Sequence, residues 1–215
     1  MFEDETPETD SNLGEEVYAA LLKDILAARL PGGTPIQQRR LALQYEVSRS
    51  PMRHALSRLE GEGLLVRDDT AGLVVRTITL RDYLDSLEMR MLLEPAAAAK
   101  ASGNPDRPRL DVIHQHFLAL QENPAPDLED VWTFDDELHD YIAQQSGNSF
   151  MFPFVRDLRR YTTIFERQMP VIRIKPGMRE HAAVLEALLD GEAEVARAAM
   201  SFHLEIVRTG VLKRY

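Results

Sequence analysis

From Leu80 onward the apolar residues of this chain recur only at helical spacing, and no alternating strand pattern of any length interrupts them. A tract of that kind buries its apolar stripes by packing helix on helix, so it must fold as a bundle. Its punctuation is Gly103-Asn104-Pro105, Asn123-Pro124-Ala125-Pro126, Gly147-Asn148, Met169-Pro170, Lys175-Pro176-Gly177 and Asp190-Gly191, residue types that end helices or start turns. These breaks predict about six helices rich in Ala, Leu and Met.

The residues before Leu80 read differently. The opening MFEDETPETD is acidic and poor in apolar residues, which predicts a disordered tail over residues 1–11. Asn12 with Glu15 three residues on reads as a capping box, and Val17, Leu21, Ile25 and Ala28 then repeat at helical spacing up to Pro31-Gly32-Gly33. Thr34 before Pro35, with Gln37 at the third position, predicts a short second helix through Tyr45. Ser48 stands as the cap of a third, with Met52, Ala55, Leu56 and Leu59 on its buried face and Gly61 and Gly63 ending it. Leu64-Leu65-Val66 and Leu73-Val74-Val75, on either side of Asp68-Asp69-Thr70-Ala71-Gly72, predict a hairpin. The reading is therefore mainly α: an N-terminal winged helix-turn-helix over residues 12–76, a short linker at 77–79, and an all-helical bundle over 80–215.

Composition narrows the function. With no cysteine among 215 residues there is no disulfide framework, thiolate metal site or cysteine nucleophile, so any metal falls to histidine and carboxylate. No run of eighteen apolar residues offers a membrane span, and the acidic start lacks a basic-then-apolar leader; the chain is expected in the cytoplasm, with no membrane partner. A net charge of −10 argues, taken whole, against nucleic acid. That charge is partitioned: residues 1–10 hold five acids and no Lys or Arg, 11–80 hold nine Lys/Arg against eight Asp/Glu, and 81–215 hold sixteen against twenty-two. A near-neutral first module presents a basic face if its arginines cluster, whereas an acidic remainder suits sensing or association.

Those arginines do cluster. A recognition helix puts its first turn into the major groove, where Arg forks onto guanine and hydroxyls take phosphates or base edges. Arg49 and Arg53 lie four apart on one helix face, Ser48 and Ser50 bring hydroxyls beside them, and the N–H groups of a helix start point at phosphate. Arg39 and Arg40, on the preceding helix, are placed to reach the DNA backbone. Solvated arginines on an ordinary amphipathic helix would share this spacing. The longer pattern decides between the two: Leu30-Pro31-Gly32, Leu41-Ala42, Val47-Ser48-Arg49-Ser50-Pro51-Met52-Arg53-His54-Ala55-Leu56 and Leu59-Glu60-Gly61-Glu62-Gly63-Leu64-Leu65 resemble the DNA-binding domain of GntR-family transcription regulators over residues 13–77. The family's Val-Ser-Arg-Thr-Pro-x-Arg helix start is met except at Ser50, which keeps the hydroxyl. The resemblance implies Arg39, Ser48, Arg49, Ser50 and Arg53 as contacts to a double-stranded operator, with Gly72 at the wing. His54 replaces the usual Glu, and Asp68 and Asp69 occupy the wing tip, where they repel phosphate. The helix is therefore expected to carry most of the affinity.

In the bundle, Asp135 and His139 sit at i and i+4, which sets a carboxylate and an imidazole on one helix face. His181 falls early in the next-to-last helix and His203 in the middle of the last, both among apolar or small residues. Bundles can bring such positions together on a divalent metal, zinc first, with nickel, manganese or iron as alternatives, but a lone histidine on an apolar helix face is more often a satisfied core residue, and pattern alone favours that reading. Residues 80–214 resemble the FCD effector domain of the FadR-type branch, in its six-helix form. Leu87-Glu88-Met89-Arg90-Met91-Leu92-Leu93-Glu94 is similar to its opening helix, Asp135 to His139 to its Asp-x-x-x-His element, Ser146-Gly147-Asn148 to the following turn, and Glu180-His181 and Ala199-Met200-Ser201-Phe202-His203-Leu204 to its last two helices. That resemblance implies Asp135, His139, His181 and His203 as metal ligands. It also implies Arg90 and Asn148 as residues that bind a small carboxylate effector. A core arginine is costly unless paired, so an internal pair of Arg90 with Glu94 carries equal weight. His114 and His116 match no ligand position, and Asp136 points away around the helix.

The expected function is a homodimeric, ligand-responsive transcription regulator, a repressor of an inverted-repeat operator, and not an enzyme. Two alternatives stand beside it. One is a metal-dependent hydrolase or oxygenase built on the same three histidines and aspartate, although no His-Glu-x-x-His or Gly-x-Ser-x-Gly element and no separate general base are present. The other is an interaction module that kept the winged fold but no longer binds DNA.

Overall fold

Val17, Leu21 and Ile25 recur every fourth residue along the first helix, α1 (Pro7–Leu26), and all three are buried. The computed structural model describes residues 7–168 and 174–214. Within them α1 starts at Pro7, ahead of the expected start at Asn12, so residues 7–11 are helical and only residues 1–6 of the expected tail lie outside the described residues. Asn12 is inside the helix and donates to Glu16 at 3.5 Å instead of capping. Proline fits a first helical turn, and acids near it complement the helix dipole, so the acidic composition that suggested disorder also suits a helix start.

The second expected helix also shifts. Helix α2 covers Gln38–Gln44, while residues 34–36 run extended beside the hairpin after a turn in which Gly33 takes φ 83°. Gly33 N donates to Val75 O at 2.8 Å, Val75 N to Thr34 O at 3.0 Å and Ile36 N to Leu73 O at 2.8 Å, and Pro35 faces Val74. An open strand edge supplies backbone partners that a one-turn extension of α2 would not, and a proline at an edge forfeits no ladder bond. Between α2 and α3 (Arg49–Gly61), Glu46 takes φ 55° and Val47 N returns to Ala42 O at 2.9 Å, an αL helix stop made without glycine. The Tyr45 hydroxyl donates to Asp24 on α1, which also accepts from Arg29 at 2.6 Å, so this turn is tied to α1. Pro51, Met52, Ala55, Leu56 and Leu59 form the buried face of α3. The strands β1 (Leu65–Asp68) and β2 (Gly72–Val75) pair antiparallel, with Leu65 opposite Val75 and Asp68 opposite Gly72, and Leu65, Val74 and Val75 join the core.

The chain divides into two units, one within Met1–Thr79 and Thr163–Pro170, the other within Leu80–Thr162 and Val171–Tyr215. Six further helices follow the hairpin among the described residues: α4 (Leu80–Gly103), α5 (Arg107–Glu122), α6 (Leu128–Gln145), α7 (Met151–Arg167), α8 (Ile174–Asp190) and α9 (Ala193–Leu212). Asp106 and Asp127 cap α5 and α6 by accepting the amides of Arg109 and Glu129. The break expected at Met169-Pro170 lies outside the described residues, and Lys175-Pro176-Gly177 falls in the first turn of α8, where proline is tolerated. Helix α4 buries Ala97, Ala98 and Ala101 without residual exposure and packs along α9, which buries Ala196, Met200, His203 and Leu204. No described helix is long and apolar enough to cross a membrane.

Candidate DNA interface and metal centre

Burial of its apolar stripe leaves α3 with Arg49, Ser50 and Arg53 exposed on its first turns. Ser48 occupies the N-cap with extended backbone, yet its hydroxyl makes no capping bond, so that hydroxyl stays available to a ligand at the helix start. Arg39 and Arg40 are exposed on α2, and Gln38 Nε2 donates to Arg49 O at 3.0 Å, which fixes the start of α2 against that of α3. The ion pairs of this unit draw the contrast. Arg29 pairs with Asp24 (2.6 Å), Arg58 with Glu15 (2.5 Å) and Glu62 (3.1 Å), and Arg67 with Glu60 (2.9 Å). Arg39, Arg40, Arg49 and Arg53 have no ion pair among the described residues. The guanidiniums left uncompensated are those the sequence marks for DNA.

At the wing, Gly72 takes φ 77°, a conformation strained for any residue with a Cβ. Asp68 accepts from Thr70 Oγ1 (2.6 Å), Thr70 N (2.9 Å) and Ala71 N (2.8 Å). The Thr70 hydroxyl and then the two amides hold its carboxyl below the usual carboxylate value. Asp68 thus builds the turn while staying ionised, and it and Asp69 are both exposed at the wing tip. His54, the departure on α3, lies against Gly14 of α1, where a Cβ would come within 3.0 Å of its Nδ1.

In the second unit, α6, α8 and α9 bring Asp135, His139, His181 and His203 together, with one ligand atom from each lying within 4.8 Å of all the others. His139, His181 and His203 are 1%, 5% and 4% exposed, so water does not satisfy their ring nitrogens. His139 Nε2 and His181 Nε2 are buried with no hydrogen-bond partner; His181 Nε2 stands 3.1 Å from Asp135 Oδ1 but is not aligned to bond it. Unsatisfied buried nitrogens aimed at a carboxylate are costly in a core and are what a cation-binding set requires. Burial pushes Asp135 up, but Arg159, then His181 and His139, outweigh it and hold its carboxyl well below the usual range. Burial, aided by Arg159, keeps His139 below its ordinary value against the pull of Glu94. Burial with the two neighbouring imidazoles does the same, more strongly, for His203. Neutral imidazoles at His139 and His203 beside an ionised Asp135 are protonation states that suit a divalent metal.

Behind these four lies a layer of buried polar residues. Glu94 accepts from His139 Nδ1 and from Arg90 Nε at 2.5 Å. Arg90 Nη1 donates to Thr162 Oγ1 at 2.8 Å. Arg159 Nη2 donates to Asp135 Oδ2 at 2.7 Å and to Asp136 Oδ1 at 2.6 Å. Arg90 is thus placed in the internal pair with Glu94. Asn148 accepts the Phe150 amide with its side chain at 3.0 Å, at the start of α7. His116 bonds Glu137 and Asp130, away from the cluster. Sequence reasoning missed Arg159 and Thr162: a charged residue on an amphipathic helix carries no sign that it is buried.

Models of two known families match this chain: "Bacterial regulatory proteins, gntR family" over residues 13–75 and "FCD domain" over residues 85–206. The chain belongs to the GntR family, FCD branch. Its relatives are transcription regulators, not enzymes, which removes the hydrolase or oxygenase reading, and this GntR-family chain is a DNA-binding transcription regulator, which removes the non-binding module. It is 24% identical to the HTH-type transcriptional repressor RspR of Escherichia coli, over 96% of this chain and 93% of that one. It is 26% identical to the Nta operon transcriptional regulator of Aminobacter aminovorans (85% and 90% covered) and 23% to a probable D-xylose utilization operon transcriptional repressor of Paenarthrobacter nicotinovorans (91% and 87%). Among solved structures it is similar in fold to E. coli McbR/YncC, with TM-score 0.80 at 20% identity over 94% of this chain and 98% of that one. A GntR regulator from Rhodococcus sp. RHA1 gives 0.76 at 20% identity with the same coverage.

Proposed function

We propose that this GntR-family regulator is a cytoplasmic repressor that binds an inverted-repeat operator as a homodimer and answers to a small organic carboxylate through a metal held in its helical domain. The observation that carries the sensing half is the buried set of Asp135, His139, His181 and His203, with two ring nitrogens unsatisfied. These four would hold the ion, with zinc fitting the donor set first and nickel, manganese or iron fitting it also. Once bound, such an ion supplies a Lewis-acidic position for a carboxylate oxygen. The uncompensated Arg39, Arg40, Arg49 and Arg53, with Ser48 and Ser50 between them and Gly72 shaping the wing, support the reading half. A single head with few base contacts binds weakly, which is the physical reason for a dimer on a two-fold site. Repressors among the relatives support the sign of the response.

The test is elemental analysis of full-length protein purified without chelator or affinity metal, beside thermal shifts with a panel of small carboxylates on loaded and stripped samples. One divalent ion per chain and a shift by one acid class only when loaded is the expected result. Sub-stoichiometric metal with identical shifts in both samples overturns the sensing half. Anisotropy on duplexes selected from a random pool, with complexes sized by light scattering, tests the reader; one chain per duplex overturns the dimer.

A further inference from the structure

Asp135 and His139 come from adjacent turns of one helix, and each is gripped from behind by a residue that the family resemblance did not assign to the metal. Glu94, on α4, is 1% exposed, and its Oε2 lies within hydrogen-bonding distance of His139 Nδ1; an ionised carboxylate paired with Arg90 only accepts, so the contact requires the proton on Nδ1. A histidine that donates from Nδ1 carries its lone pair on Nε2, and Nε2 is the nitrogen left unsatisfied beside Asp135, His181 and His203. Glu94 cannot swing away, because its other oxygen is held by Arg90 Nε at 2.5 Å and Arg90 is held by Thr162 at 2.8 Å. Thr162 Oγ1 in turn donates to Arg159 O at 2.9 Å, and Arg159 occupies Asp135 Oδ2, which leaves Oδ1 turned toward His181. One chain of bonds therefore sets both ligands of α6.

We propose that Glu94, clamped by Arg90, is the positioning residue of the metal centre: it fixes His139 in the Nδ1–H tautomer so that Nε2 faces the ion. This rests on the metal reading above, and it gives Arg90 a task inside the centre in place of contact with the effector. A carboxylate behind a ligating histidine orders its ring and raises its basicity, and losing such a partner costs about ten- to a hundred-fold in metal affinity.

The probe is zinc, titrated into stripped full-length protein against a chromogenic chelator. E94Q is expected to weaken zinc about ten- to a hundred-fold while the stripped variant keeps its far-ultraviolet spectrum, and R90M is expected to weaken it less. Zinc affinity unchanged in E94Q overturns the inference and leaves the metal reading intact; wild-type affinity in H139A overturns the metal reading and the inference with it. R90M that keeps full zinc affinity but loses its carboxylate response returns Arg90 to the effector. Because E94Q leaves Arg90 unpaired in the core, a second measurement needs no variant: nitrogen-15 chemical shifts of His139 in stripped wild-type protein are expected to report Nδ1–H, and an Nε2–H ring overturns the assignment.

Discussion

Arg49 and Arg53 are exposed, and what separates them from Arg58 or Arg67 is that no acid among the described residues pairs with them. The helix-start pattern made these positions legible in the sequence; their lack of compensation was not, because Glu15 reaches Arg58 across forty-three positions. Arg49→Ala is expected to cost ~1–3 kcal/mol of operator binding and to relax one base position, and Arg40→Ala to weaken all duplexes alike and lower the salt slope by about 1. Competition anisotropy at several salt concentrations separates the two. The four clustered positions proposed to hold the metal were legible only through resemblance, since spacing joins Asp135 to His139 and says nothing of His181 or His203. Glu94 was legible as a partner of Arg90, whereas its bond to His139 depends on how α4 and α6 pack. His116 supplies a further test at this scale. Burial opposes its charge, but bonds to Glu137 and Asp130 outweigh that and raise its pKa. Its contribution to stability is therefore full below about pH 6.5 and is lost as pH rises through the raised value. Melting temperatures are expected to fall across that window in wild type and to flatten in His116→Gln; an unchanged profile would remove the pair from the account.

At the scale of elements, the periodicity that makes α1, α3 and the bundle helices visible is the periodicity that buries them, which is why their existence could be read and their ends could not. Thr34-Pro35 looks like a helix start in isolation and instead runs extended, bridged to Val74, because β2 offers it an edge; α1 gains residues 7–11 because proline and acids suit a first turn. Both errors are competitions between local preference and a partner that the local sequence does not contain. Helix α4 shows the reverse case, where small residues decide. With Ala101 fully buried, Ala101→Leu forces α4 away from its neighbours and is expected to destabilise the fold by ~1–3 kcal/mol, read from urea unfolding. A loss within a few tenths of a kcal/mol would mean that this part of the helix packs loosely.

For the whole molecule, the metal reading makes stability a function of metal concentration. A ligand that binds only the folded form adds about 4.1 kcal/mol at a thousand times its Kd. Hydrogen exchange is expected to slow on zinc loading in α6, α8 and α9 and to leave α2, α3 and the hairpin unchanged; equal protection everywhere would tie the reader's stability to the metal. Charge has its own consequence at this scale. The chain carries −10, and four cations on α2 and α3 of its reader have no acid partner among the described residues. A net acidic chain is expected to gain less from arbitrary duplex than a basic one, because its attraction to phosphate rests on the encounters that present those cations. On the proposed reading, the search for an operator is expected to run through many brief collisions rather than long sliding, with occupancy set by the few contacts that only the correct site completes.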